Sequence, residues 1–297
     1  RAVEVASQAD AVVLVMGGSS ARDFGEGTID LRTGASLVTG EAISDMDCGE
    51  GIDRMTLSLS GVQLDLIREV YAAAGDKPVI VVYIGGRPVV EPWVDEQLGA
   101  ILQAGYPGQE GGHAIADILL GDVNPSGRLT ISVPKGAGQL PVHYRGKRSR
   151  GKRYLEDDSK PQYPFGYGLS YTTFDYSEPM LIGGRSRLSP EDLAAGKTVT
   201  VSVTVTNTGQ RAGAEVVQLY ISDVASAVTR PASELKGFRK IWLEPGQSRR
   251  VEFEIGEPQL RYIGPDYVPV VEPGLFRVQI GRSVEDARSV ELTVGAE

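Results

Sequence analysis

Cysteine is almost absent from these 297 residues: Cys48 stands alone, which excludes an intrachain disulfide and leaves the redox compartment open. Histidine is nearly as scarce, with only His113 and His143, so zinc chemistry is disfavoured and neither a metal nor a cofactor is expected. Positive charge is in deficit. Lys and Arg total 30 against 39 Asp and Glu, and the net charge of -9 argues against a nucleic-acid partner, whose phosphates need clustered cations. No apolar run approaches the ~20 residues of a membrane helix, so no membrane partner is expected either. A neutral or cationic small substrate fits this balance better.

What is present is enough apolar material, 41%, for about two domains. Up to about residue 134 strand and helix patterns alternate. Ala11 to Met16 and the run from 78 to 86 read as strands buried on both faces, Leu98 to Gln103 as a third, and Arg128 to Val133 as a fourth. A helix follows Ser60, with Val62, Leu66, Val70 and Ala73 at helical spacing. It opens on a capping box of Ser60 with Gln63 and a staple of Leu59 with Leu64, and stops near Gly75. Another helix runs from Glu110 to Leu120. This alternation predicts an α/β open, mostly parallel sheet domain over 1–134, incomplete at its N-terminal side. Arg1 to Glu4 read as the end of a helix, so the chain is expected to start inside a domain. Residues 135–175, rich in Gly, Pro, Tyr and charge, are expected as an interdomain linker.

From 176 to 297 the texture is all-β. Val199, Val201, Val203 and Val205 alternate onto one face, and further strands are expected at Glu215–Ser222, Glu234–Leu243, Arg249–Ile255, Leu275–Ile280 and Ser289–Val294. Turn signals at Asn207-Thr208-Gly209 and Pro245-Gly246 give the spacing of an immunoglobulin-like sandwich.

The first strand and its helix are separated by residues 17–59, whereas such loops usually take about 2–6 residues. In open α/β sheets, ligands bind where these loops leave the carboxyl ends of the strands. This loop holds two glycine-flanked glutamates, Gly25-Glu26-Gly27 and Gly49-Glu50-Gly51, and on the residues alone the two weigh nearly equally. Cys48 could form a cysteine protease dyad with a histidine, but Asp45, Asp47 and Glu50 around it blunt a thiolate nucleophile. Arg145, Lys147, Arg148, Arg150, Lys152 and Arg153 are answered at once by Glu156, Asp157 and Asp158, the pattern of a self-neutralising surface loop.

Several long motifs, in order, resemble one family. The run from Gly108 to Leu129 (GQEGGHAIADILLGDVNPSGRL), the segment Tyr163 to Thr172 (YPFGYGLSYT) and Glu50-Gly51-Ile52-Asp53-Arg54 are similar to the sheet domain of family 3 glycoside hydrolases. Val216 to Ile221 and Glu234 to Phe238 resemble that family's fibronectin type III-like domain. The resemblance implies the C-terminal part of a retaining, exo-acting β-glycosidase, first a β-glucosidase, then a β-xylosidase, acting on β-linked glucosides or xylosides. It implies a partner, the family's N-terminal (β/α)8 barrel, which supplies the aspartate nucleophile and which nothing here resembles. The family's first one or two sheet strands are also unmatched. A homo-oligomer is compatible with it, and a secreted or periplasmic location is favoured over a cytoplasmic one.

By the motif match Glu50 is the general acid/base. Retaining hydrolysis uses two carboxyl groups about 5–5.5 Å apart, one attacking the anomeric carbon, the other protonating the leaving oxygen and then activating water. Asp47 and Asp53 are expected to help keep Glu50 protonated. Arg22, Asp23 and Glu26 are candidates to contact substrate, and Asp53 with Arg54 is expected to form an ion pair supporting the Glu50 loop. Trp93 and His113 read as packing or capping residues, and Tyr167 and Tyr171 as interdomain docking residues. A catalytically silent carbohydrate-binding or scaffolding module is the alternative from another class.

Overall fold

The structure, a computed structural model, describes residues 1–20, 32–33, 47, 53–147, 154–155 and 157–295. Two compact units result: Arg1–Leu120 with Pro134–Leu140, and Gly121–Val133 with Pro141–Glu297.

In the first unit, α1 (Ala2–Gln8) leads into β1 (Val12–Gly17), α2 (Gln63–Ala74), β2 (Val79–Ile84), α3 (Pro92–Gln97), β3 (Ala100–Gly105) and α4 (Gly111–Leu120). The strands form a parallel sheet in the order β1-β2-β3, so the β-branched run of β2 is central, with Val81 and Val82 fully buried. Ile67, Val70 and Ala74 repeat at helical spacing and form the buried face of α2. Ile67 and Ala74 pack with Val79, Val81 and Tyr83 of the sheet. Gly75, at φ 63°, ends the helix where only glycine turns without strain.

Three expectations need correction here. β1 is not buried on both faces: it pairs only with β2 among the described residues, and Val13 and Val15 are 47% and 57% exposed. An apolar run reports strand character but not strand position. The capping box does not form: α2 begins from Val62 without a side-chain cap, and the Gln63 amide, though it donates to the Ser60 carbonyl and hydroxyl, uses its oxygen to accept from Gly17 N–H. Arg128–Val133 adds no strand to the sheet. Between the helix-ending Gly121 and Pro134, it lies in the second unit, where Leu129 N–H donates to the Tyr167 carbonyl (2.8 Å) and Val133 N–H to the Tyr163 carbonyl (2.8 Å). Among the described residues no helix is long and apolar enough to cross a membrane.

The second unit is a β-sandwich. Its strands are β4 (Phe174–Tyr176), β5 (Met180–Leu181), β6 (Arg187–Leu188), β7 (Val199–Asn207), β8 (Gly213–Asp223), β9 (Glu234–Leu243), β10 (Ser248–Ile255), β11 (Tyr262–Ile263), β12 (Pro269–Val270), β13 (Gly274–Gly281) and β14 (Ala287–Val294). One sheet runs β10-β7-β4 with β5 beside β7, and the other β6-β14-β13-β8-β9. The four alternating valines of β7 are at most 3% exposed and share a core with Leu219, Phe276, Ile280 and Leu292 of the facing sheet. Each such side chain contributes roughly 1.5–3 kcal/mol relative to exposure.

The segments that resembled family motifs fasten to this sandwich. Arg128 reaches the fully buried Glu215 at 2.5 Å, and the Tyr176 hydroxyl donates to the same carboxylate at 2.6 Å. Burial first, and the Glu215 charge second, push the Tyr176 phenol far above its ordinary range, so it stays a donor. Gly166, at φ 83°, lets the backbone approach the Gln218 amide, which donates to the Gly166 carbonyl (3.2 Å). Asn124 Oδ1 accepts from Ser170 Oγ (2.9 Å) and Tyr171 N–H (2.8 Å).

Candidate active site

The carboxyl ends of β1 and β2 meet through glycine. Gly18 N–H donates to the Ile84 carbonyl (3.0 Å), and Gly85 N–H to the Gly105 carbonyl (3.1 Å). A Cβ on Gly17 would run into that Ile84 carbonyl, and one on Gly18 into the Asp47 carboxylate. The first turn of α2 seals the same junction: the Gln63 amide accepts from Gly17 N–H (2.9 Å) and donates to the Gly17 carbonyl (2.9 Å).

Asp47 sits at the centre. Its Oδ1 accepts from Ser19 N–H (2.9 Å), and its Oδ2 from Ser60 Oγ (2.8 Å) and Arg54 Nη1 (3.2 Å). Its own N–H donates to the Ser19 carbonyl (3.0 Å). With three donors satisfied, this carboxylate is an anchor rather than a base. Gly17, Gly18, Asp47, Arg54 and Arg87, together with Leu57, Pro88 and Val89, line a small pocket at the strand ends whose exposed surface is mostly apolar. The buried Glu91 accepts from Leu59 N–H at 2.7 Å and holds the segment entering α2.

Glu50, Arg22, Asp23 and Glu26 lie outside the described residues, as does Cys48. Asp53 and Arg54 are described, and they do not pair side chain to side chain. Arg54 turns to Asp47, while the Asp53 carboxylate accepts from Arg54 N–H (2.8 Å) and meets Arg87 Nη1 at 3.4 Å. Sequence neighbours seldom face one another, and each here found a partner brought by the fold. Asp47 was weighed in the sequence only as a charge near Cys48 and Glu50. Its anchoring role left no periodic signal, although Gly18, Ser60 and Gln63 all stand where that role needs them.

Other marked residues take structural places. Trp93 packs edge-on against Tyr71 (5.5 Å) in the first unit's core. His113 meets Glu110 at the surface, at 2.6 Å. Tyr167 stacks on Tyr163 (5.3 Å) and Tyr171 lies near Arg211 within the second unit. No His, Cys, Asp and Glu cluster among the described residues could hold a metal.

The glycosyl hydrolase family 3 C-terminal domain matches residues 1–171, and a fibronectin type III-like domain matches 215–284. The chain belongs to glycoside hydrolase family 3. It is 40% identical over 99% of its length to a β-xylosidase of Formosa agariphila, and 39% over 97% to a periplasmic β-glucosidase of Salmonella typhimurium. It spans only 37% and 34% of those relatives, about a third of each. Among solved structures, a β-glucosidase of Erythrobacter marinus superposes with a TM-score of 0.83 at 37% identity, over 98% of this chain and 35% of that one. One of Listeria innocua in complex with glucose gives 0.82 at 32% identity, over 99% and 38%.

Proposed function

We propose that this chain is the C-terminal part of a retaining, exo-acting β-glycosidase that removes terminal non-reducing β-linked sugars, a β-glucosidase ahead of a β-xylosidase. The reading rests on one observation above others: nearly the whole chain aligns with enzymes of both names while covering about a third of each. Glu50 is the general acid/base. The nucleophile is an aspartate on the (β/α)8 barrel that forms the rest of the enzyme, so the chain alone is inactive. Asp47, near Glu50 in sequence, is held by Arg54 and two serines. Asp53 and Arg54 support the Glu50 segment through separate partners, and Arg22, Asp23 and Glu26 contact substrate from the preceding loop. The proposed location is periplasmic or secreted, in keeping with the periplasmic β-glucosidase of Salmonella typhimurium among its relatives. A silent module is less favoured, since the match runs through both the catalytic-loop motif and the sandwich.

The experiment assays the chain alone and the barrel-bearing protein on an aryl β-glucoside and an aryl β-xyloside side by side. Turnover only with the barrel, faster on the glucoside, is the expected result. Turnover by this chain alone contradicts the reading.

A further inference from the structure

We infer that the β-sandwich carries a carbohydrate-binding site of its own, a trough between the edge strands β9 and β10 that takes a neutral sugar. β9 ends one sheet and β10 the other, so this side of the sandwich has no covering strand among the described residues. The trough between them offers about 480 Å³, within the usual range of a small-molecule site, and its lining is mostly polar. All the residues that line it belong to the second unit, so the inference stands whether or not Glu50 is the acid/base.

Two features of β9 shape the trough. Leu219 pairs with Gly237 and Tyr220 with Leu235, so Lys236 is the extra residue of a β-bulge, the device that re-aims a side chain at a sheet edge. The Lys236 side chain is only 17% exposed, and its ammonium meets Glu234 at 3.7 Å, while Arg230 (2.7 Å) and Arg145 (2.9 Å) hold that carboxylate more closely. Burial, ahead of the Glu234 charge that opposes it, keeps the Lys236 pKa below its ordinary value, as for a cation short of partners. Gly237 beside it keeps the floor open. A Cβ there would meet the Phe253 ring at 3.3 Å and Leu219 at 3.7 Å.

The walls hold opposite charges that do not neutralise one another. The Arg239 guanidinium lies over Phe253, 5.7 Å from the ring centre, and Glu254 lines the trough from β10; among the described residues neither forms an ion pair. Glu252, in contrast, is answered by Arg250 at 2.9 Å. An anion entering here would gain Lys236 and Arg239 but face Glu254, and a cation would meet the reverse. A sugar hydroxyl donates to a carboxylate and accepts from an ammonium or guanidinium at once, so it satisfies both walls. Phe253 and Leu219 at the floor suit the C–H face of the same ring.

The test titrates thiocellobiose, whose sulfur-linked glycosidic bond resists hydrolysis, onto the isotope-labelled chain and follows the backbone amide resonances. Saturable shifts confined to the residues lining the trough, at millimolar affinity, are the expected result. Arg239→Gln and Glu254→Gln should each weaken binding roughly tenfold, the worth of one hydrogen bond to a charged group. Gly237→Val should weaken it by filling the floor, whereas Trp242→Ala, at an exposed position on the same strand, should leave it unchanged. Inorganic phosphate, titrated in parallel, should not move these amides. If the chain alone does not fold, calorimetry on the barrel-bearing enzyme replaces the titration, and the trough appears there as a second binding event that the same variants remove. Binding that survives the Arg239, Glu254 and Gly237 variants, or that Trp242→Ala abolishes, puts the sugar elsewhere and overturns the inference. So does the absence of any shift at tens of millimolar sugar. Phosphate that shifts these amides where thiocellobiose does not would make the trough an anion site and overturn the choice of ligand.

Discussion

The strand-end junction of the first unit and the motif-bearing face of the second use glycine in similar ways to different ends. At Gly166 the backbone closes onto Gln218 beside the fully buried Tyr220, and at Gly168 it closes onto the Gly127 carbonyl. Beside them Glu215 receives both Arg128 and Tyr176. That face is nearly finished: most of its polar groups are spent on one another, and Arg128 Nε is left buried without a hydrogen-bond partner among the described residues. At Gly17 and Gly18 the backbone closes equally tightly, onto Ile84 and Asp47, but here the carboxylate gathers Ser19, Arg54 and Ser60 at the ends of the strands. The lesson is that long sequence motifs of one family divide into those that weld the fold and those that aim a group, and motif length does not tell them apart.

Four substitutions sharpen the contrast, beginning with the largest effect. Glu50→Ala in the barrel-bearing enzyme should cost about 10²–10⁴-fold in turnover on substrates that need acid catalysis, with its melting temperature nearly unchanged. Glu215→Ala should do the reverse. It leaves Arg128, only 9% exposed, without its charge partner, and denaturant unfolding should show a loss of about 3–5 kcal/mol while the folded fraction stays active. Gly166→Ala should lose about 1–2 kcal/mol from the left-handed backbone at φ 83°, and more from collision with Gln218.

The smallest effect concerns pH. Burial alone would raise the Glu234 carboxyl, but its hydrogen bond from Arg230 and the charges of Lys236, Arg230 and Arg145 outweigh it and hold it below the usual range. A carboxylate depressed in the folded state adds stability above its unfolded pKa, near 4.3, and loses it as pH falls through the folded value. The melting-temperature gap between the native chain and Glu234→Gln should therefore be full at neutral pH and shrink below about pH 4. A gap that widens in acid contradicts this sign.

Much of the sandwich was legible because apolar residues recur at every second position in strands such as β7 and β10, although β8 is buried along nearly its whole length. The valines at 199, 201, 203 and 205 alternate, with only Ser202 between them also buried, and the strand expected at Glu234–Leu243 is found with those bounds. The first unit was legible in its elements but not in their surroundings: the β1 run reads as fully buried, yet Val13 and Val15 are exposed because edge position depends on neighbours, not on composition. Arg128–Val133 misled for a related reason, since its pairing partner is a Gly-rich segment some 35 residues later rather than a sheet strand. At the site, the glycine-flanked glutamates announced a loop of interest, but the pairing of Arg54 with Asp47 rather than Asp53 needed the fold. Adjacent residues reveal no shared partner until the chain returns on itself.

The most direct test is the product formed by the barrel-bearing enzyme from a 2,4-dinitrophenyl β-glycoside in the presence of azide, for Glu50→Ala and Glu26→Ala in parallel. Removal of the acid/base carboxylate opens a place for azide to attack the glycosyl-enzyme from the retained face. The account predicts that azide accelerates Glu50→Ala and yields the β-glycosyl azide, while Glu26→Ala gives sugar alone. Azide rescue of Glu26→Ala, with Glu50→Ala at near-native rates, would contradict it.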